Sequence, residues 1–363
     1  MRIIHCADLH LDAKMQTHLT IEEAEERRAE ILDSFRRLLD FASENRVDAV
    51  LIAGDLFDRE YCRKHTVSYV LELIRSHPEL AIYYLKGNHD QKTFEEESGR
   101  LPENLYTFGR GWRSYQLGRE KGGAIILTGS EEADVRSLSL REENCNLLML
   151  HGQLAEYPDA ARPEVIGLSA LKNKAIDYLA LGHIHHFCQG TLLPRGIWCY
   201  SGCLEGRGFD ECGEKGFVLL EISPSLQIHS KFVPFAKRRF FLLETEVSGC
   251  RSQIEIEERI KEELHRSGAG KEDLVKVLLK GKLPLSCEKS LLQIKEGFRD
   301  SFYSFQAEDK STIAVDALSY LHDISLKGEW LRLIMQETAL SEEDKAAVIR
   351  CGLAALQGEE AAE

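Results

Sequence analysis

Residues 47–58 read VDAVLIAGDLFD, a short aliphatic run, Val47–Ala53, that ends at Gly54-Asp55-Leu56-Phe57-Asp58. A run of this length and content predicts a strand buried on both faces. Gly54 allows a sharp turn at the strand's end, and acids follow at once. Four other stretches share the form. Arg2–Ala7 runs into Asp8-Leu9-His10, and Ala81–Leu85 leads through Lys86 to Gly87-Asn88-His89-Asp90. Leu147–Leu150 ends at His151, and Tyr178–Leu181 ends at Gly182-His183-Ile184-His185. Ligands of an open α/β sheet gather outside the carboxyl ends of its strands. Asp8, His10, Asp55, Asn88, His151, His183 and His185 are therefore expected to converge on one edge of the fold. Carboxylate, amide and imidazole together describe a two-metal hydrolase site.

Outward from these strands, the chain reads as α/β to about residue 235. Thr20 and Glu23 form a capping box that opens a helix, and Ile31, Leu32, Phe35, Leu38 and Leu39 continue it as an apolar stripe. With Val47–Ala53 next, this makes a β-α-β unit. Val67–Arg75 reads as a second helix. After about residue 110, Ala124–Leu127, Ile197–Tyr200 and Gly216–Ile222 alternate with glycine-rich turns and predict a second, more antiparallel sheet. A boundary is expected near Pro234–Arg239. Beyond it Phe240–Val247, Gln253–His265, Asp273–Leu279 and Phe302–Gln306 predict a small α+β module. From about residue 311 the chain reads as helical, with apolar Trp330–Met335 and Val348–Leu356, and Ser341 capping a last helix.

Composition narrows the function classes. At 363 residues the chain predicts two or three domains. No stretch approaches the roughly 20 apolar residues of a membrane span. His5 and Asp8 break the N-terminus, which does not read as a signal peptide. Ten scattered cysteines without a Cys-x-x-Cys pair fit a reducing cytoplasm. Cys188, Cys199, Cys203 and Cys212 match no zinc spacing and read as small buried hydrophobes. The formal charge of −14 argues against broad attraction to phosphate backbones. It does not remove a nucleic-acid substrate, because bound divalent cations invert the local field. Arg110-Gly111-Trp112-Arg113 with Arg119 and Lys121, and Lys237-Arg238-Arg239, are two basic patches. Each reads either as a phosphate grip or as solvated surface.

Alternation in a strand places residues i and i+2 on one side. Asp8 with His10, and His183 with His185, are thus expected to aim at common sites. Asp55 is the natural bridging carboxylate between two cations roughly 3.5–4 Å apart. Asn88 offers a neutral oxygen and His151 a further imidazole. His89 is aimed away from the ligand beside it.

The string Asp-x-His, Gly-Asp-x-x-Asp, Gly-Asn-His-Asp, His and Gly-His-x-His resembles the calcineurin-like metallophosphoesterase superfamily. Within it, His5–Asp12, Gly54–Asp58 and Tyr200-Ser201-Gly202-Cys203 are similar to the DNA repair nucleases of SbcD type. The resemblance spans roughly residues 1–220. It implies a four-layer α/β/β/α sandwich with two mixed sheets, plus a small α+β capping domain and C-terminal helices. The implied domains are a dimetal nuclease domain (1–235), a capping or DNA-binding domain (236–310) and a partner-binding helical segment (311–363). It implies one metal on Asp8, His10, Asp55 and His185, and another on Asp55, Asn88, His151 and His183, most naturally manganese, with iron or zinc also matching the donors. It assigns His89 to the leaving oxygen, oriented by Asp58. Arg59, next after that Asp, and Arg207, in the glycine-rich turn after the last motif, read either as phosphate contacts or as surface ion pairs. Implied partners are DNA, an SMC-like coiled-coil ATPase of SbcC type and a second copy of the chain.

Three function classes follow: a DNA exo/endonuclease working with an ATPase, a phosphoesterase acting on a small diester or nucleotide, and a protein phosphatase or vestigial binding module. The last is weakest because every ligand position is filled. The acidic charge favours the second class, and the added segment 236–363 favours the first.

Overall fold

Alternate side chains of the apolar runs enter two different cores, which is why the runs are almost wholly apolar; His5, the exception inside the Arg2–Ala7 run, is buried against Tyr178 Oη and Leu181 O. The computed structural model describes all residues except 16–18, 59–62, 91–93, 95–100, 133, 158–164, 285–286, 315–323, 342–343, 346–347, 350 and 353–363. The chain divides into two compact units, Met1–Phe240 and Phe241–Glu363.

The first unit contains β1 (Arg2–Cys6), β2 (Ala49–Ala53), β3 (Ala81–Leu85), β4 (Leu105–Thr107), β5 (Arg113–Glu120), β6 (Gly123–Gly129) and β7 (Cys145–His151). It continues with β8 (Gln153–Ala155), β9 (Val165–Gly167), β10 (Tyr178–Gly182), β11 (Cys188–Leu192), β12 (Gly196–Tyr200), β13 (Gly216–Ile222) and β14 (Ile228–Pro234). Two six-stranded sheets result, ordered β14-β13-β1-β2-β3-β4 and β11-β12-β10-β7-β6-β5. Each is parallel at its centre and antiparallel toward an edge.

Ile3, Leu51, Tyr83, Leu147, Met149 and Ala180 fill the layer between the sheets. Their neighbours Ile4, Val50, Ile52 and Ile82 face helices α1 (Ile21–Glu44) and α2 (Lys64–Arg75). Leu148, Leu150, Leu179 and Leu181 face a thinner outer layer that includes α3 (Leu168–Leu171). The architecture is the four-layer α/β/β/α sandwich. Thr20 and Glu23 cap α1 reciprocally, as the sequence predicts.

Two expectations are corrected. Gly216–Ile222 joins the first sheet, antiparallel to β1, rather than the second. The second sheet is mixed, because β6, β7, β10 and β12 run parallel and only β5 and β11 are antiparallel to their neighbours. Glycine-rich turns marked its edges but not its centre.

The Lys237-Arg238-Arg239 patch is largely absorbed by the fold. Lys237 Nζ and the Arg238 guanidinium both meet Glu30 of α1, which also pairs with the fully buried Arg27. Burial would raise the Glu30 carboxyl, but hydrogen bonds from Arg238, Lys237 and Arg27 hold it down at about 2. In the other basic patch, Arg110 pairs with Glu132, and Trp112 Nε1 donates to Ser137 Oγ. Cys199 and Cys203 are buried, Cys188 half-buried and Cys212 exposed.

In the second unit, β15 (Phe240–Glu246), α4 (Gln253–Ser267), β16 (Leu274–Lys280), β17 (Lys282–Pro284), α5 (Leu291–Phe298), β18 (Ser304–Asp309) and β19 (Thr312–Ala314) follow in order. The sheet β15-β16-β18 packs Val275, Val277 and Leu279 against Ile256 and Ile260 of α4 and Ile294 of α5. Helix α6 (Leu326–Gln336) contains Trp330–Met335 and is capped by Ser325. Ser341 Oγ accepts from Asp344 N, the expected cap. The apolar stretch 348–356 lies partly outside the described residues. Among the described residues, no helix is long and apolar enough to cross a membrane.

Candidate metal centre

Strands β1, β2 and β3 are parallel neighbours in one sheet, and β7 and β10 are parallel neighbours in the other. Their carboxyl ends therefore open to the same side. Backbone pairing continues past β1 and β2: Asp8 N donates to Gly54 O, and His10 N to Asp55 O. Yet Asp8, His10 and Asp55 have φ of 52°, 44° and 51°. Left-handed backbone at non-glycine residues costs about 1–3 kcal/mol each and collects at functional sites. Strand alternation is not what brings Asp8 and His10 together, as they lie beyond β1. His183 (φ 105°) and His185 likewise lie beyond β10.

The side chains meet closely. His151 Nε2 lies 3.3 Å from Asp55 Oδ2 and 2.9 Å from Asn88 Oδ1. His183 Nδ1 is 3.4 Å from the same Asn88 oxygen. On the other side of Asp55, His10 Nε2 is 3.8 Å from Oδ2 and 3.3 Å from His185 Nε2. Asp8 accepts from His183 N with both oxygens. Asp8, His10 and His185 form one group with donor atoms within 4.8 Å of one another, and Asp8, Asp55 and His151 form another. His10, Asp58 and His89 form a third at the rim. Asp58 Oδ2 lies 4.0 Å from His10 Nδ1. Arg59 lies outside the described residues.

The electrostatics suit cations. Burial, the largest influence, pushes the Asp8 carboxyl up to about 6 against the nearby charges of His151 and His185. Burial would raise Asp55 too, but the hydrogen bond and charge of His151, with the charge of His10, hold it well below the carboxylate range. Burial opposes a charge on His151, yet the Asp55 hydrogen bond and the charges of Asp55 and Asp8 lift it to about 9. Burial, then Arg207, keeps His10 well below the usual histidine range.

Two buried carboxylates thus lean on neighbouring imidazole charge. The buried His10 Nδ1 has no hydrogen-bond partner. The Nε2 atoms of His10 and His185 face each other directly, nitrogen against nitrogen. Oxygen and nitrogen donors without sulfur fit a pair of divalent ions, and the residues present fit that requirement.

Residues not singled out from sequence complete the site. Asp90 is buried and accepts from Leu56 N, Phe57 N and Gly87 N, tying the β2 loop to the β3 loop. Burial, then the charge of Asp55, raises its carboxyl to about 6. Its signal was its place in Gly87-Asn88-His89-Asp90. A Cβ on Gly87 would run into Asp55, so this glycine lets the two loops touch. His151 Nδ1 lies 2.9 Å from Ala53 O, an arrangement that leaves Nε2 free for a ligand. Glu211, buried and 2.7 Å from His185 Nδ1, carried no sequence signal, because its partner is 26 residues away. Arg207 lies on Glu211 through Nε and Nη2. Burial would lower the Glu211 carboxyl's tendency to ionise, but the hydrogen bonds of His185 and Arg207 hold it well below the usual range.

The family model for calcineurin-like phosphoesterases matches residues 1–187, from β1 through the last histidine motif. The chain belongs to the calcineurin-like phosphoesterases. Members of this family are hydrolases of phosphoester bonds that use a dimetal centre. The uncharacterized metallophosphoesterase YhaO of Bacillus subtilis (strain 168) is 28% identical over 239 residues, 61% of this chain and 58% of its own length. The DNA double-strand break repair protein Mre11 of Aeropyrum pernix is 26% identical over 325 residues, covering 81% of this chain and 77% of that protein. A subunit of the nuclease SbcCD from Staphylococcus epidermidis is 24% identical over 296 residues, covering 72% of this chain and 75% of that protein. The chain thus spans just under three fifths of YhaO and about three quarters of the other two. Among solved structures, TT1561 of Thermus thermophilus aligns with a TM-score of 0.41 at 11% identity, over 64% of this chain and 98% of that one. A dimetal phosphatase from Danio rerio aligns at 0.40 and 11%, over 64% and 99%.

Proposed function

We propose that this phosphoesterase is a two-metal phosphodiesterase that cleaves DNA in repair and works with an SMC-like coiled-coil ATPase. The observation that supports the chemistry is Asp55, whose Oδ2 faces His151 on one side and His10 on the other. In this reading Asp8, His10, Asp55 and His185 hold one ion, and Asp55, Asn88, His151 and His183 hold the other. Two bound divalent ions, manganese by preference, supply Lewis-acid charge for in-line displacement at phosphorus.

The chain's own residues supply the rest. Asp55 holds the two halves of the site at one spacing. His89, its ring centroid 4.9 Å from that of His10, stands at the rim and passes a proton to the departing sugar oxygen. Asp58, in the same group, orients it. Arg59 and Arg207 are assigned to the phosphate. Residues 1–235 serve as the nuclease domain, 236–310 as a capping and DNA-binding domain, and 311–363 as the segment that docks on the ATPase.

The substrate assignment is supported by the names of two relatives and by the added second unit. A small diester or nucleotide is the competing substrate, favoured by the charge of −14 and by a relative whose name specifies no nucleic acid. Manganese-dependent cleavage of linear duplex, hairpin and single-stranded DNA, run beside a chromogenic small diester, separates the two. Cleavage of DNA is expected; hydrolysis of the small diester alone would sink the nuclease reading. Removal of residues 325–363 is expected to abolish copurification with the ATPase and to spare metal-dependent cleavage.

A further inference from the structure

His185 is gripped from behind by a loop that no part of the metal motif contains. Its carbonyl accepts from Lys215 Nζ at 2.7 Å and from Cys203 N, which fixes the backbone. Its Nδ1 has two close neighbours of opposite demand. Glu211 Oε1, at 2.7 Å, only accepts, whereas Arg207 Nη2, at 2.9 Å, only donates. The two neighbours call for different tautomers. With the proton on Nδ1, the bond goes to Glu211 and Nε2 presents a lone pair toward His10 and Asp8. With Arg207 donating to Nδ1, the proton moves to Nε2 and an N–H faces the site. An imidazole that shows a ring N–H to a cation is not a ligand.

Glu211 holds the advantage. Its Oε1 also accepts from Arg207 Nη2 at 2.7 Å, which draws the guanidinium onto the carboxylate. Its Oε2 is fixed by the backbone N–H of Arg207 at 2.8 Å. The carboxylate is thereby anchored at both oxygens, and one of them is aimed at Nδ1.

We propose that Glu211 is a positioning residue that selects the Nδ1-protonated tautomer of His185 and so makes His185 a metal ligand, while Arg207 opposes that tautomer unless Glu211 neutralises it. This rests on the two-metal reading of the site. It gives Arg207 a role on the Glu211 carboxylate in addition to the phosphate contact.

The test uses the full-length protein. Nitrogen NMR of labelled histidine in the metal-free protein, with His185 assigned from a His185→Gln spectrum, reads the tautomer directly. Calorimetric titration with manganese reads affinity. Wild type is expected to protonate Nδ1, whereas Glu211→Ala protonates Nε2 and loses roughly 10- to 100-fold in affinity at one of the two sites. Adding Arg207→Ala to Glu211→Ala is expected to regain several-fold, because the opposing donor is gone. A purely structural role would make the double variant weaker still. The proposal is overturned by an Nε2-protonated wild type, by an unchanged tautomer in Glu211→Ala, or by a double variant no tighter than Glu211→Ala. If wild type takes up no manganese, the two-metal reading fails, and the metal-free tautomers alone decide the role of Glu211.

Discussion

The backbone N–H of His89 donates to Asp55 Oδ1 at 2.8 Å. The central carboxylate and the rim histidine are therefore not independent features. The oxygen of Asp55 that does not face His151 and His10 holds the chain that presents His89. A change at Asp55 is felt at both places.

Asp55→Asn is expected to lose one or both manganese equivalents and essentially all phosphodiesterase activity. The amide keeps the size of the side chain but removes the charge between two imidazoles. Two equivalents bound in the variant with wild-type affinity, by calorimetry or elemental analysis, would contradict the bridging role.

His89→Gln is expected to keep both metals and lose roughly 10²–10⁴-fold in kcat, the usual worth of a positioned general acid. The loss should shrink for a diester with an acidic phenolic leaving group, which departs without a proton. Equal losses on both substrates would remove His89 from leaving-group protonation.

Gly87→Ala is expected to fold but to bind metal at least about tenfold more weakly, since a Cβ there collides with Asp55. Overpacking of this kind costs about 1–3 kcal/mol. Thermal unfolding and manganese titration of the same sample separate the two effects. Unaltered affinity would show that the loops have room to part.

Glu30 ties α1 to Lys237 and Arg238 with a folded pKa near 2 against an ordinary 4.5. Between those values the unfolded chain binds more protons than the folded one. The contribution to stability is present above pH 4.5 and is lost as pH falls toward 2. Glu30→Gln is expected to cost on the order of 3 kcal/mol at neutral pH and to flatten the acid limb of the stability curve. A variant whose denaturant midpoint falls in parallel with wild type from pH 5 to 3 would refute the linkage.

Much of this was legible in the chain. The strands β1, β2, β3, β7 and β10 were recognisable because residues buried on both faces leave short, largely apolar runs. Their polar ends stood out for the same reason. The cap at Thr20 and Glu23 is a local pattern, and the structure contains it unchanged. The placement of β13 was not legible. A run such as Gly216–Ile222 carries no mark of which sheet it joins, and its partner β1 lies more than 200 residues earlier in the chain. Lys237 and Arg238 looked like exposed charge, since their neutralising acid is 207 and 208 residues away.

The residue types that gather at one edge were determined by sequence alone, because hydrophobic periodicity and strand-end position are short-range properties. The spacing within that edge was decided by tertiary structure. Left-handed backbone at Asp8, His10 and Asp55, not strand alternation, turns those side chains inward, and only the stacked sheets hold such conformations in place. Glu211 and Asp90 belong to the same class. A buried carboxylate acquires its role from the groups that surround it, and those groups are brought together only when the chain has folded.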